Sequence, residues 1–255
     1  MAKPILVKLG GSTLGSGDTT LPDVVALQAQ GVRLVVVHGG GKLISEWQQK
    51  LGITAHFEKG LRVTDAASLE VVLAVLAGVV NKQLVSAINT RGGKAIGLCG
   101  VDGPIIEATV RAPELGYVGD VAAINRALLD MFLDERYIPV IAPLGVTTEG
   151  TILNINADAA AGDIARALEA ERLIFLSDVP GVQDERGRVV AHLSPTDARA
   201  LIDSGVVSAG MIPKVEACLT AVGSVGSAVI VDGRQPDALL TALRGEVEGT
   251  AFAPK

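Results

Sequence analysis

Short runs rich in β-branched residues recur at residues 5–9, 33–38, 94–99, 138–142, 173–176 and 228–231. Amphipathic or Ala-rich stretches lie between them, at 21–30, 43–51, 66–90, 122–134, 157–169, 198–204 and 213–222. Strands alternating with helices imply βαβ units, an α/β fold and a mostly parallel central sheet. Aromatics make up only 3% of the chain while apolar residues make up 49%, so Val, Ile, Leu and Ala do the packing. That bias suits strands covered on both faces, which read as short Val/Ile/Leu runs. Residues 56–63, 105–121, 146–155 and 182–190 break the rhythm. They read as hairpins or short antiparallel excursions, placed to form lids over the sheet's C-terminal edge. A boundary at Arg172, where a strand begins, divides the chain into lobes 1–171 and 172–255 on one continuous sheet.

Several function classes are disfavoured at once. The formal charge is −6, no Lys/Arg-rich run stands out and aromatics for base stacking are scarce, so nucleic acid is not the expected partner. The longest apolar run, 71–80, falls below the ~18 residues a membrane span needs. The N-terminal apolar stretch is broken by Lys8 and Gly10-Gly11, too short for a signal peptide, so a cytoplasmic location is expected. Cys99 and Cys218 have no ligand-like spacing and read as core residues, with no metal site in view. The 30 glycines follow no period. They point to turns and close backbone approach.

An acidic chain that binds phosphate must concentrate its cations beside glycine turns, and five segments do so. Lys8-Leu9-Gly10-Gly11-Ser12 ends a strand with a lysine followed by two glycines, whose amides approach an anion unhindered. Taken alone, the segment reads more readily as a tight turn with a solvated lysine. Residues 35–42, VVVHGGGK, run a buried strand into three glycines and a helix start, an anion site by its free N–H groups and dipole. It is not a Walker A loop, since Leu43 follows Lys42, and Ile44 stands where a dinucleotide fingerprint needs its last glycine. His38, closing that strand, reads as a structural hydrogen-bonder rather than a base. Arg62, between Leu61 and Val63 ahead of a helix capped by Thr64 or Asp65, is either a carboxylate clamp or a surface arginine. In residues 154–160 Asn156 is the expected N-cap, with Asp158 in the first turn and the Asn154 amide free for a ligand. Finally, residues 176–182 run a strand into a Pro-Gly turn, and residues 208–214 place Lys214 in a helix first turn after Pro213. A cation is unfavourable there, which asks for a nearby anion.

In this order, KLGGS, HGGGK, KGLRVTD, NINAD, LSDVPGV and GMIPK resemble the amino acid kinase family, in particular its branch acting on N-acetyl-L-glutamate. The likeness runs from Lys8 to about Val231. It implies a three-layer αβα sandwich, with an N-terminal lobe for the amino acid and a C-terminal lobe for ATP. The implied reaction forms the γ-carboxyl acyl phosphate of N-acetyl-L-glutamate, a step of arginine biosynthesis, from ATP with Mg²⁺ bound with the nucleotide. By position, Lys8 and Lys214 would stabilise the moving phosphoryl group and Asp158 would orient both. Gly10, Gly11 and Gly40 would bind phosphate; Gly40, Gly41, Arg62 and Asn154 would hold the amino acid. Ser177, Asp178, Val179, Pro180, Gly181, Val182, Gln183, Val206, Val207, Ser208, Gly210 and Met211 would line the nucleotide pocket. Ala209 departs from the family's usual glycine or polar residue in that loop.

The resemblance also implies a homodimer, expected through the long apolar helix 66–90. Arginine-inhibited relatives carry a helix ahead of the first strand, which here starts near Met1, so no hexamer and little arginine inhibition are expected. Rival readings are a sister kinase for another carboxylate, such as carrier-linked aminoadipate, a non-catalytic nucleotide-binding module of the same fold, and an NAD-dependent dehydrogenase.

Overall fold

The computed structural model describes residues 2–10, 19–58, 60–207, 210–246 and 248–253. Along the chain come β1 (Ile5–Leu9), α1 (Thr20–Ala29), β2 (Leu34–His38), α2 (Gly41–Lys50), β3 (Phe57–Glu58), β4 (Leu61–Arg62) and α3 (Ala66–Leu73). A π-helical turn (Ala74–Val80) joins α3 directly to α4 (Asn81–Thr90). Then follow β5 (Ala95–Cys99), β6 (Ile106–Val110), β7 (Val118–Ile124), α5 (Arg126–Asp134), β8 (Ile138–Ala142), β9 (Leu144–Val146), β10 (Ile152–Ile155) and α6 (Ala157–Ala167). The remainder is β11 (Arg172–Ser177), β12 (His192–Leu193), α7 (Pro195–Asp203), α8 (Ile212–Val222), β13 (Ser227–Asp232), α9 (Ala238–Arg244) and β14 (Gly249–Phe252).

Among the described residues eight strands form one sheet, in the order β12-β14-β13-β11-β1-β2-β8-β5. Its pairs are parallel except β13 with β14. Because side chains alternate along a strand, each run feeds two cores. Leu6, Val35, Val37, Phe175 and Ile230 pack with α5, α6 and α8 on one face. Ile5, Val7, Leu34, Val36 and Ile174 pack with α1, α4 and α9 on the other. The result is a three-layer αβα sandwich. Fully burying a Val or Leu side chain contributes about 1.5–3 kcal/mol, so aliphatic strands buried on both faces supply a core with few aromatics.

The segments that break the βα rhythm are hairpins, as expected. Phe57 pairs with Arg62, β6 with β7 and β9 with β10, and Gln183 bridges Val189. β10, β7, β6 and β9 close into a small barrel, two of whose strands precede β8 while the other two follow it after Pro143. One boundary needs correction: residues 122–124, read as helix, belong to β7, where Ala123 pairs with Glu107. The ladder overrides alanine's helix preference, and α5 starts only where the Asn125 side chain accepts from the Leu128 N–H. Residues 238–244 and 249–252 form elements the sequence pattern does not announce.

Ala66–Thr90 is one 25-residue helical stretch long and apolar enough to cross a membrane by length and composition. In this fold one side of it packs into the core. Val71, Val72, Val75 and Leu76 are buried in one cluster, Leu84 and Ile88 in another. The sheet is continuous across Arg172: earlier residues supply β5, β8, β2 and β1, and later ones supply β11, β13, β14 and β12.

Candidate active site

β1 lies mid-sheet between β2 and β11, the position where open parallel sheets bind ligands beyond their strand ends. Val7 and Leu9 face the α1 side, so Lys8 must project from the opposite face, toward α6. There Asn156 caps α6, its Oδ1 accepting from the Asp158 and Ala159 N–H groups at 2.9 and 3.0 Å. This cap sets Asp158 in the first helical turn. Lys8 Nζ lies 2.5 Å from Asp158 Oδ1, a close ion pair off the axis of an aligned hydrogen bond. Lys214 Nζ donates to Asp158 Oδ2 at 3.2 Å from the first turn of α8. Gly162 makes this convergence possible: a Cβ there would stand 2.8 Å from the Ala217 carbonyl, so α6 and α8 meet backbone to backbone. Burial alone would push the Asp158 carboxyl up, but Lys8 and Lys214 outweigh it and hold it below its ordinary 3.8. The α8 dipole disfavours Lys214, and Asp158 offsets that.

Two clefts meet at this triad. The cleft of ≈ 480 Å³ is lined by Ser177, Asp178, Val179, Pro180, Gly181, Val182, Gln183, Val206, Val207, Gly210 and Met211, with Lys214 at its end. These are the residues expected around the nucleotide, apart from Ser208, which with Gly11 lies outside the described residues. The cleft of ≈ 260 Å³ holds Lys8, Gly39, Gly40, Gly41, Arg62, Asn154 and Asp158. Pockets for drug-sized ligands run from about 300 to 1,000 Å³, so the first suits a nucleotide and the second a small acid. A larger cavity of ≈ 730 Å³, bordered by Glu58, Glu114, Asp163 and Glu216, carries too much negative charge for phosphate.

Arg62 is buried at the edge of the smaller cleft, which excludes the surface arginine. Its Nη2 donates to the Gly41 carbonyl at 3.0 Å and to Ser45 Oγ at 2.8 Å, and its Nη1 donates to Gln48 Oε1. Gln48 Nε2 in turn donates to Ser68 Oγ at 3.0 Å, and Asp65 caps α3 by accepting from the Ser68 N–H. The Phe57 ring lies 4.7 Å from the guanidinium. Burial lowers the Arg62 pKa from its ordinary value. Ser45, Gln48 and Ser68 carry no sequence signal of their own, because they act only through the folded neighbourhood of Arg62.

Two expectations change in detail. The Asn154 amide is partly engaged: one of its two N–H groups donates to Thr64 Oγ1 at 3.1 Å, which ties β10 to the start of α3. The Gly10 N–H is taken by the Leu176 carbonyl at 2.9 Å and extends the sheet instead of facing an anion. Gly40 precedes α2, whose start no side chain caps, and a Cβ on it would meet Leu76 Cδ2 at 2.6 Å. His38 is a structural hydrogen-bonder: it is buried, and burial, opposed by its bond to the Gly39 carbonyl and aided by Lys8 and Lys82, lowers its pKa to about 4. Cys99 and Cys218 are buried free thiols.

Residues 3–232 match the model of the amino acid kinase family. The chain is 44% identical over 245 residues to an acetylglutamate kinase of Dehalococcoides mccartyi (strain ATCC BAA-2266 / KCTC 15142 / 195), covering 94% of this chain and 90% of that protein. It is 46% identical over 270 residues to an acetylglutamate kinase of Sinorhizobium medicae (strain WSM419), covering 99% and 92%. The crystal structure of smu.665 from Streptococcus mutans UA159 superposes with a TM-score of 0.88 at 33% identity, covering all of both chains. With two clefts meeting at a lysine–aspartate–lysine triad centred on a buried carboxylate, and a match along nearly its whole length, the chain belongs to the amino acid kinase family.

Proposed function

We propose that the chain transfers the γ-phosphoryl group of ATP to the γ-carboxylate of N-acetyl-L-glutamate, giving the acyl phosphate and ADP, in arginine biosynthesis. The observation that carries this reading is the triad's place. Lys214 borders the larger cleft, while Lys8 and Asp158 border the smaller. A phosphoryl group passing from one cleft to the other crosses between two ammonium groups held by one carboxylate.

The chemistry needs little more. A glutamate side chain has a reference pKa of about 4.3, arrives ionised and requires no general base. Phosphoryl transfer calls mainly for in-line positioning and charge neutralisation. In this reading Lys8 and Lys214 neutralise the equatorial oxygens, Asp158 fixes their spacing, and the open start of α2 receives phosphate through its amides. Arg62 and Asn154 hold the α-carboxylate, and residues 177–183 with Val206, Val207, Ser208, Gly210 and Met211 hold the nucleotide. The C-terminal lobe from residue 172 is then the ATP lobe. Among the described residues no group of three His, Cys, Asp or Glu side chains offers a metal cage. Mg²⁺ therefore enters as part of the nucleotide, bound mainly by phosphates and water, as this ion prefers, and offsets their charge.

The direct test is trapping with hydroxylamine in the presence of ATP and Mg²⁺, across N-acetylglutamate, glutamate, aspartate, aminoadipate and UMP. Hydroxamate is expected with N-acetylglutamate above all others. Hydroxamate with aminoadipate instead favours the sister kinase, and none with any carboxylate favours a binding module. Arg62→Ala is expected to raise KM for the amino acid about 10–10²-fold, the loss of a charge-assisted hydrogen bond, with KM for ATP little changed. The reverse pattern in steady-state kinetics assigns the lobes the other way round. The protein works in the cytoplasm, as a homodimer paired through Ala66–Thr90, whose apolar window is only 39% buried within the chain. A solution mass near twice the 26.1 kDa of one chain is the expected reading; a single-chain mass refutes the pairing.

A further inference from the structure

We propose that Asn81 and His38 form a positioning relay that turns the Gly40 N–H into the cleft where the phosphoryl group is transferred. The proposal rests on the reading that Gly40 meets phosphate, and deepens it.

The relay begins at the π-helical turn Ala74–Val80. Such turns are rare and cluster at functional sites. Leu76 and Val80 from this turn pack against Gly40, and Asn81 follows it, fully buried. The Asn81 amide nitrogen spans three strands. It stands 2.8 Å from the Val140 carbonyl on β8, 3.2 Å from the Leu98 carbonyl on β5 and 3.2 Å from His38 Nε2 at the end of β2. Asn81 Oδ1 accepts from Lys82 Nζ at 3.0 Å. Gly97, in mid-strand, leaves the room, since a side chain there would overlap Asn81. A glycine inside a strand often marks such a close approach.

These partners leave one assignment. Carbonyl oxygens only accept and an ammonium only donates, so the amide nitrogen is the group facing His38. The Gly39 carbonyl, 2.9 Å from Nδ1, can only accept, so the proton sits on Nδ1, and Nε2 of the neutral ring is an acceptor facing an amide whose two N–H groups serve three acceptors. Among the described residues no peptide is cis. In a trans peptide the N–H points opposite to the C=O, so holding the Gly39 carbonyl against the ring turns the Gly40 N–H away from it. The ring is buried outside the cleft lining, whereas Gly39, Gly40 and Gly41 form part of it. The amide therefore faces the cleft. A second proton on the ring would set N–H against N–H at Asn81. The charged groups around the ring, Lys8 on β1 and Lys82 on α4, are both cationic and oppose it further.

Two measurements on the full chain test the relay. The first is imidazole ¹⁵N NMR of the ligand-free protein, which has only three histidines, His38, His56 and His192. His38 is expected as the neutral Nδ1–H tautomer, unchanged from pH 8 down to about pH 5. The Nε2–H tautomer, or titration near the ordinary 6.5, overturns the relay. This needs no variant and does not depend on turnover. The second is kinetics normalised to folded protein. His38→Leu is expected to lose about 10–10²-fold in kcat, with KM for both substrates within about threefold, because a mis-aimed donor is missed mainly in the transition state. His38→Gln, whose amide can both donate to Gly39 and accept from Asn81, is expected to recover most of that loss. A purely structural role would lower the Tm of both variants without this split. A folded His38→Leu protein with kcat within twofold of the parent overturns the proposal. A parent that makes no acyl phosphate overturns the proposed reaction, and leaves the tautomer as a separate result.

Discussion

Replacing Lys214 with alanine is expected to lower kcat by about 10²–10³ while leaving the fold nearly intact and raising the KM for ATP far less, and Lys8→Ala is expected to match it in kcat. The size follows from the loss of one preorganised charged donor in a site that excludes water. The effect belongs in kcat because the negative charge the lysines meet is fully developed and placed between them only as the phosphoryl group moves. The two variants should part company in stability. Lys214→Ala leaves the Lys8–Asp158 pair at 2.5 Å untouched, so Asp158 keeps a counter-charge. Lys8→Ala leaves the buried carboxylate with only Lys214 at 3.2 Å, on a side chain that is itself 18% exposed. Lys8→Ala should therefore melt lower as well as turn over slowly. Arginine is not expected to rescue either position, since a planar fork replaces a compact point charge. Steady-state kinetics beside thermal melts decide the matter: near-normal turnover in either alanine variant removes the triad from the chemistry.

Two members of the triad stand out in the sequence because each breaks a local rule, whereas Asp158, a favoured first-turn carboxylate, joins them through the family resemblance. Lys8 interrupts an aliphatic strand, and Lys214 sits in a helix first turn where the dipole opposes it. Asp158 follows a recognisable N-cap. The strands are readable for a related reason, since parallel strands buried on both faces carry a dense aliphatic signal. What escapes is held by partners distant in sequence. Nothing near Arg62 announces that Gln48 and Ser45 take its donors, nor does the sequence near Asn154 announce Thr64 as its partner. Residues 122–124 look helical until the pairing of Ala123 with Glu107 is known. The Gly10 N–H looks available until β11 is seen to take it through Leu176. Local pattern thus marks where charge must be neutralised, and tertiary pairing decides which backbone donors remain to do it.

Asp158→Asn is expected to be the most destabilising single change in the site, and the one most readily offset by an added anion. The substitution keeps the shape of the side chain and removes its charge. Two ammonium groups then stand together with little water, Lys8 at 8% and Lys214 at 18% side-chain exposure. Stripping a buried ion cluster of one partner costs about 3–5 kcal/mol, which for a domain near this size is a Tm drop of about 6–20 °C. The pH dependence has a definite sign. The folded carboxyl lies below its ordinary 3.8, so its stabilisation is complete above that value and is lost as pH falls through the lower folded pKa. The parent should lose this advantage over the variant only in strong acid, with the two curves converging there. Because ATP brings its own negative phosphates to the same lysines, saturating MgATP should raise the Tm of Asp158→Asn by more degrees than it raises that of the parent. Activity is not expected to return with it, since the phosphate that replaces the carboxylate binds where a moving group must pass and the spacing of the lysines is no longer fixed. Melting curves of parent and variant, with and without MgATP, read all of this at once. An unchanged Tm, or an equal gain from the nucleotide in both proteins, would show that Asp158 does not hold the lysines apart.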